Sequence, residues 1–88
     1  MEVEFLEKFS RDLDRLNDLS IKIAVRKIIA SIQHVETLSQ IPNIKKLKGF
    51  KSAYRIRVSD FRIGIFVEGG IVQFARIVHR KDIYKIFP

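Results

Sequence analysis

Residues 54–67 read YRIRVSDFRIGIFV, and this stretch decides the fold. Apolar and polar residues alternate on both sides of Ser59-Asp60, which is the pattern of two strands joined by a tight turn. Gly69-Gly70 follows and predicts a second hairpin, whose last strand runs from Ile71 to Val78. The stretch and its continuation therefore predict a three-stranded antiparallel meander.

Upstream of the meander the pattern predicts one more strand and a helix. Val3 and Phe5 alternate with glutamates, as in a short strand. Phe9, Leu13 and Leu16 follow at helical spacing with charged residues between them, as in a short amphipathic helix.

A second helix is predicted over residues 20–38, with Ser20 as its N-cap. Apolar residues recur there at steps of three and four, and Pro42 ends the pattern. The predicted fold class is α+β, with a two-helix hairpin packed on one face of an antiparallel sheet. That sheet would consist of the short N-terminal strand and the meander, in a single domain over residues 1–88.

Composition and charge limit the classes of function. No apolar run approaches the length of a membrane span, the N-terminus lacks the pattern of a signal peptide, and there is no cysteine. A cytoplasmic protein is therefore expected.

The charged residues are unevenly distributed along the chain. Residues 1–40 hold six basic and seven acidic residues, whereas residues 41–88 hold eleven basic and three acidic residues. This concentration of positive charge in the second half predicts either a polyanionic partner, most often nucleic acid, or an acidic protein partner.

The first hairpin predicts a face rich in arginine. If Ser59-Asp60 is a two-residue loop, Arg57 lies opposite Arg62 and Arg55 lies opposite Gly64. Like charges directly opposite each other destabilise a sheet by up to about 1 kcal/mol. The pairing becomes favourable when an anion lies between the guanidinium groups, so this face is a candidate phosphate site.

The second hairpin extends this prediction to the last strand. An uninterrupted register over Gly69-Gly70 places Ala75 opposite Gly64, as a floor of small residues that a ligand could approach. The same register places His79 on the arginine face and Arg80 on the other side. Arg76 then falls on the core side, unless a bulge shifts the strand.

Lysines surround the predicted site, and they are candidates for contact with a nucleic-acid backbone. Four lie in the connection before the meander and one follows the last strand: Lys45, Lys46, Lys48, Lys51 and Lys81. No group of His, Asp or Glu has the spacing of metal ligands, so neither a metal nor another cofactor is expected.

Two motifs resemble those of the RelE/ParE superfamily of type II toxin–antitoxin toxins, and specifically its RelE-like ribonuclease branch. The first is Leu47-Lys48-Gly49 with the segment YRIRVSDFRI at 54–63, and the second is HRKDIY at 79–84. The resemblance implies an mRNA interferase, an endoribonuclease that inhibits translation by cutting messenger RNA on the ribosome and that a cognate antitoxin neutralises. The matching positions imply these catalytic residues: Arg55, Arg57, Arg62, Arg80 and Tyr84.

The identity of the general base is the open chemical question. Other branches use a glutamate from the central segment, but residues 37–59 contain no acidic residue. Arginine stabilises phosphorane charge well but cannot abstract a proton. His79, the one imidazole that the predicted register places beside the arginines, is therefore the expected base. Metal-independent cleavage would leave a 2′,3′-cyclic phosphate and a 5′-hydroxyl.

Two alternatives remain at the level of sequence. A ParE-type toxin would bind and inhibit DNA gyrase without cleaving RNA, and it would have no need for the arginines, His79-Arg80 and Tyr84. A catalytically weak module would serve mainly to bind its antitoxin.

Overall fold

The computed structural model describes residues 1–88. Five strands form one mixed sheet in the order β1-β5-β4-β3-β2. The strands are β1 (Glu2–Phe5), β2 (Ile44–Lys46), β3 (Ala53–Val58), β4 (Phe61–Glu68) and β5 (Ile71–His79). The helices are α1 (Glu7–Arg15), α2 (Leu19–Ile32) and α3 (Ile83–Ile86), with a 3₁₀ turn at Leu38–Gln40. The predicted α+β class and helical hairpin are confirmed, and no helix is long and apolar enough to cross a bilayer.

The sheet differs from the predicted one at both edges. β1 pairs with β5 in parallel, so the sheet is mixed and not purely antiparallel. β2 lies at the other edge, antiparallel to β3, within the segment that was predicted as a basic connection. Its three residues are too few to show a period of alternation, which explains why the sequence pattern missed it.

α2 begins earlier and ends earlier than predicted. Asp18, not Ser20, is its N-cap, and the Asp18 carboxylate accepts hydrogen bonds from the backbone N–H groups of Ser20 and Ile21. The Ser20 hydroxyl also donates to this carboxylate. The hydroxyl bond first, and then the backbone bonds, lower the pKa of Asp18. Beyond Ile32, the Gln40 side chain accepts from the backbone N–H groups at 36 and 37, which starts a separate turn instead of a longer helix.

The main core lies between the sheet and the helical hairpin. It buries apolar side chains from both layers, among them Phe9, Val25, Ile63 and Phe74, each at most 1% exposed. A second, smaller core lies on the other side of the sheet. There the C-terminal segment packs Ile83 and Phe87 against residues of the sheet and of the connection before β3. The side of the sheet without α1 and α2 is therefore partly covered.

An extra residue in β5 changes the predicted register of the second hairpin. Ile65 pairs with Phe74 but Gly64 pairs with Arg76, so Ala75 is left without a partner in the ladder. Such a bulge reverses the faces of all later residues in the strand. The uninterrupted register is wrong after Phe74, and the alternative of a bulge is confirmed. Arg76 is accommodated by ion pairing with Asp12 of α1.

Candidate functional site

Four arginines and a tyrosine lie together at one end of the sheet, where the turn joins β3 to β4. The predicted pairing of β3 with β4 is confirmed, with Arg57 opposite Arg62 and Arg55 opposite Gly64. The strands project these guanidinium groups from the side that carries the second core. Arg80 follows directly after β5, and Tyr84 lies one turn further along in α3.

Arg62 is the centre of this group, which we call the arginine cluster: Arg55, Arg57, Arg62, Arg80 and Tyr84. Partial burial is the main cause that lowers the pKa of the Arg62 guanidinium from its usual value. The positive charges of the other three arginines lower that pKa further, whereas Tyr84 raises it. Each of the other four side chains therefore lies within electrostatic range of Arg62.

Hydrogen bonds to the backbone and to an asparagine side chain fix two of the arginines. Arg62 Nη1 donates to the carbonyl oxygens of Ser59 and Phe61, each at 2.9 Å. Arg57 Nη2 donates to the side-chain oxygen of Asn43 at 3.4 Å, and the Arg57 N–H donates to the Asn43 carbonyl at 3.1 Å. Asn43 adopts a φ of 63°, a conformation that asparagine tolerates better than most residues. The sequence pattern gave no sign of this role of Asn43.

The cluster has too little negative charge to balance it. Its nearest acidic partner is Asp60, whose carboxylate lies 4.0 Å from Arg80 Nε with both side chains well exposed. An exposed pair of this kind adds little stability. Arg55 Nε is buried without a hydrogen-bond partner. Unbalanced guanidinium groups with free donors are what a phosphate oxygen requires.

His79 does not lie where the sequence predicted. The bulge places it opposite Phe61, and the two rings contact each other edge to face at 5.8 Å between centroids. Val78, and not Ile77 as in the uninterrupted register, lies opposite Arg62. The His79 Nδ1 accepts a hydrogen bond from the Lys81 N–H at 3.2 Å. The same one-residue shift brings Arg80 to the cluster, so the predicted positions of His79 and Arg80 are exchanged.

The small-residue floor is occupied by the protein itself. An ideal Cβ built on Gly64 would lie 2.7–2.8 Å from three ring carbons of Phe87. The Phe87 ring also packs against Phe66, with centroids 5.0 Å apart. The glycine therefore admits a side chain of the C-terminal segment and not a ligand, which the sequence did not reveal because Phe87 is distant along the chain.

The predicted lysines divide into separate groups. Lys45 of β2 lies directly opposite Arg55, which extends the positive charge across β3. Three others line a shallow cavity of about 450 Å³ in the loop before β3, together with the half-exposed Phe50: Lys46, Lys48 and Lys51. Lys81 is exposed and follows Arg80. The structure thus places an aromatic ring among cations, a combination that suits single-stranded RNA.

The chain resembles known toxins over nearly all of its length. Residues 3–84 match the family described as "ParE toxin of type II toxin-antitoxin system, parDE". Toxin RelE3 of Methanocaldococcus jannaschii is 40% identical over an alignment of 89 positions that covers 100% of both chains.

Solved structures of toxins superpose on this chain over most of its length. A chain of the RelB-RelE antitoxin-toxin complex from Methanococcus jannaschii superposes with a TM-score of 0.83 at 39% identity, over 97% of this chain and 99% of that one. A chain of the intact RelBE toxin-antitoxin complex from E. coli gives a TM-score of 0.70 at 16% identity, over 89% and 94% of the two chains. At that identity the second likeness concerns the fold alone.

Proposed function

Because the chain belongs to the RelE/ParE superfamily and is a toxin of a type II toxin–antitoxin system, we propose that it is a metal-independent endoribonuclease that cleaves messenger RNA on the ribosome. The observation that carries the proposal is geometric: Arg57 lies directly opposite Arg62, Arg55 opposite Gly64, and the Arg80 N–H is bonded to Asp60 in the turn between the same two strands. The charges of Arg55, Arg57, Arg80 and Tyr84 all act on Arg62. Substrate and ribosome would place its action in the cytoplasm.

The proposed reaction is a transesterification in which the ribose 2′-oxygen displaces the 5′-oxygen at phosphorus. The ribose 2′-oxygen attacks the adjacent phosphorus as its proton passes to a base. The bond from phosphorus to the 5′-oxygen breaks, and that oxygen takes up a proton. The products are a 2′,3′-cyclic phosphate and a 5′-hydroxyl. Guanidinium groups placed in advance around the phosphorus would stabilise the negative charge of the phosphorane.

Tyr84 is the candidate in the cluster for contact with a nucleobase or for proton transfer. Tyr84 is 63% exposed and acts electrostatically on Arg62, so a base could stack on its ring. The lysines would hold the RNA backbone on either side, with Lys45 directly opposite Arg55. Because His79 lies opposite Phe61 and not on the arginine face, the proton acceptor would be Tyr84, a lysine such as Lys51 or Lys81, or a group of the ribosome.

Removal of the His79 imidazole should have little effect on cleavage. We expect His79→Gln to retain the rate within about tenfold, below the range of about 10²–10⁴ that general-base catalysis supplies. The imidazole packs on Phe61 and accepts a bond from Lys81, away from Arg62. Cleavage at saturating ribosome concentration, measured from pH 5 to 8, tests this. His34→Gln, a change of the exposed histidine after α2, is the matched control.

The pH profile gives the opposing outcome a distinct signature. If His79 were the base, the wild-type rate would fall with decreasing pH as the imidazole became protonated. His79→Gln would then abolish this acid limb and lower the rate at neutral pH by 10² or more. That result would restore His79 as the base despite its position opposite Phe61.

Primer extension on messenger RNA after induction of the toxin tests the function itself. Discrete cuts that require translation would support the nuclease, whereas intact RNA with trapped gyrase–DNA complexes would support the ParE-type alternative. The 40% identity to a RelE toxin favours the nuclease. The arginine cluster favours it too, because binding to gyrase does not require converging phosphate donors.

A cognate antitoxin is the proposed protein partner. The solved relatives include complexes with RelB antitoxins. The net charge of +7 suits an acidic, amphipathic segment that covers the arginine cluster. We expect the association rate of toxin and antitoxin to fall steeply as salt increases, with a smaller change in the lifetime of the complex. Stopped-flow mixing over a range of ionic strength measures both, and an association rate independent of salt would contradict the electrostatic account.

A further inference from the structure

The bulge at Ala75 decides which side chain reaches the arginine cluster. Without it, Ile77 would face Arg62 and His79 would lie on the arginine face. With it, Ile77 is buried in the main core and Val78 faces Arg62. The chain then turns so that the Arg80 N–H donates to the Asp60 carbonyl at 2.7 Å. Arg80 thereby joins the charges that act on Arg62.

A single carboxylate from α1 contacts the chain at this bulge. Asp12 Oδ2 accepts from Arg76 Nε at 2.7 Å and from the backbone N–H of Ile77 at 3.1 Å. Its Oδ1 accepts from Arg76 Nη2 at 3.0 Å. The Asp12 side chain is only 9% exposed. Three charge-assisted hydrogen bonds from consecutive residues fix both the side chain and the backbone of the bulged strand.

Beyond Phe74, the edge of β5 has a backbone N–H group that needs a hydrogen-bond acceptor from outside the sheet. The pairing with β1 ends at Phe74, opposite Phe5. Beyond it, α1 lies along β5, and Asp12 accepts the Ile77 N–H that no strand accepts. An unpaired donor of this kind is costly when it is withdrawn from water.

We propose that Asp12 is a positioning residue for the arginine cluster: by holding Arg76 and the Ile77 N–H, it fixes the bulge that delivers Arg80 to Arg62. The proposal rests on the proposed nuclease function for its effect on rate, but not for its effect on structure. Asp12 acts through the strand and does not contact RNA. The burial of Ile77 also favours the bulged register, so loss of the carboxylate loosens the strand beyond the bulge without unfolding the sheet.

A double-mutant cycle tests the route of action. We expect Asp12→Asn to lower cleavage at saturating substrate by about tenfold, because small displacements of a group that stabilises charge are costly. In the background of Arg80→Ala, Asp12→Asn should lower the rate no further, since the residue through which it acts is gone. Asp12→Glu, which keeps the carboxylate, should restore part of the rate. Asp14→Asn, an identical change at an exposed position of α1, is the control and should leave the rate unchanged.

Amide hydrogen exchange tests the same proposal without any activity. In Asp12→Asn, the Arg80 amide should exchange at least about tenfold faster, while the Val67 amide, bonded to the Ser52 carbonyl elsewhere in the fold, keeps its rate. Equal acceleration of both amides, or an unchanged Arg80 amide, would overturn the proposal, as would an equal loss of cleavage with and without Arg80. A wild-type protein that cleaves no RNA would refute the proposed function, and the exchange measurement would still decide the role of Asp12.

Discussion

Replacement of Arg62 by alanine should reduce RNA cleavage by about 10²–10³-fold, the loss that follows removal of one donor to a developing oxyanion. Arg62 is the group on which the other charges of the arginine cluster converge. The measurement is single-turnover cleavage of messenger RNA at saturating ribosome concentration, because a binding defect would otherwise resemble a chemical one. Arg62→Lys, which keeps the charge but loses the forked donor, should recover only part of the rate.

The same substitution should hardly change stability. It removes the hydrogen bonds from Arg62 to the carbonyl groups of Ser59 and Phe61, which is unfavourable. It also relieves the repulsion with Arg57 directly opposite and the cost of partly burying a cation. These opposing contributions should leave the free energy of unfolding within about 1 kcal/mol of the wild type.

Arg26→Ala, on the exposed side of α2, is the matched control for the loss of one positive charge. It should retain cleavage, because α2 lies on the other side of the sheet from the cluster. A variant Arg62→Ala that melts at a clearly lower temperature yet still cleaves RNA would refute the placement of Arg62 in the site. Equal losses in both variants would point to net charge and not to position.

The sequence predicted those parts of the site that depend on local pairing. A two-residue loop at Ser59-Asp60 leaves one possible register, so the opposition of Arg57 and Arg62 followed from counting outward along both strands. The helical hairpin was equally predictable, because α1 and α2 each bury a stripe of apolar residues at helical spacing. In both cases the deciding interactions lie within a few residues along the chain.

The errors occurred where distant residues decide the structure. Asp12 is 64 residues from Arg76, and their contact accompanies a bulge that no local pattern in β5 reveals. The extra residue of the bulge, Ala75, exchanged the positions of His79 and Arg80 relative to the cluster. Arg76 gave the only sign, since an uninterrupted strand would have left a cation on the core side. Phe87 likewise fills the space over Gly64 from the far end of the chain.

Gly64→Ala should destabilise the fold by about 1–3 kcal/mol, the usual cost of forcing extra volume into a packed site. The new methyl group would lie under 3 Å from the Phe87 ring, which is only 5% exposed and cannot move without leaving the second core. Phe87 is linked to α3 by the hydrogen bond from its N–H to the Ile83 carbonyl at 2.9 Å. A displaced ring would therefore also shift Tyr84, and cleavage should fall with stability. Urea unfolding and the cleavage assay measure the two effects.

A compensating change separates this overpacking from other effects of the added methyl group. Phe87→Leu removes the ring from above Gly64, so the combination of Gly64→Ala with Phe87→Leu should be more stable than the sum of the two single changes predicts. The two sites are in contact, so a coupling energy of about 0.5–3 kcal/mol is expected between them. Strict additivity, or a Gly64→Ala variant with an unchanged unfolding midpoint, would mean that Phe87 does not lie on Gly64. The expected shift of Tyr84 through Phe87, and with it the predicted loss of cleavage in Gly64→Ala, would then lose its structural basis.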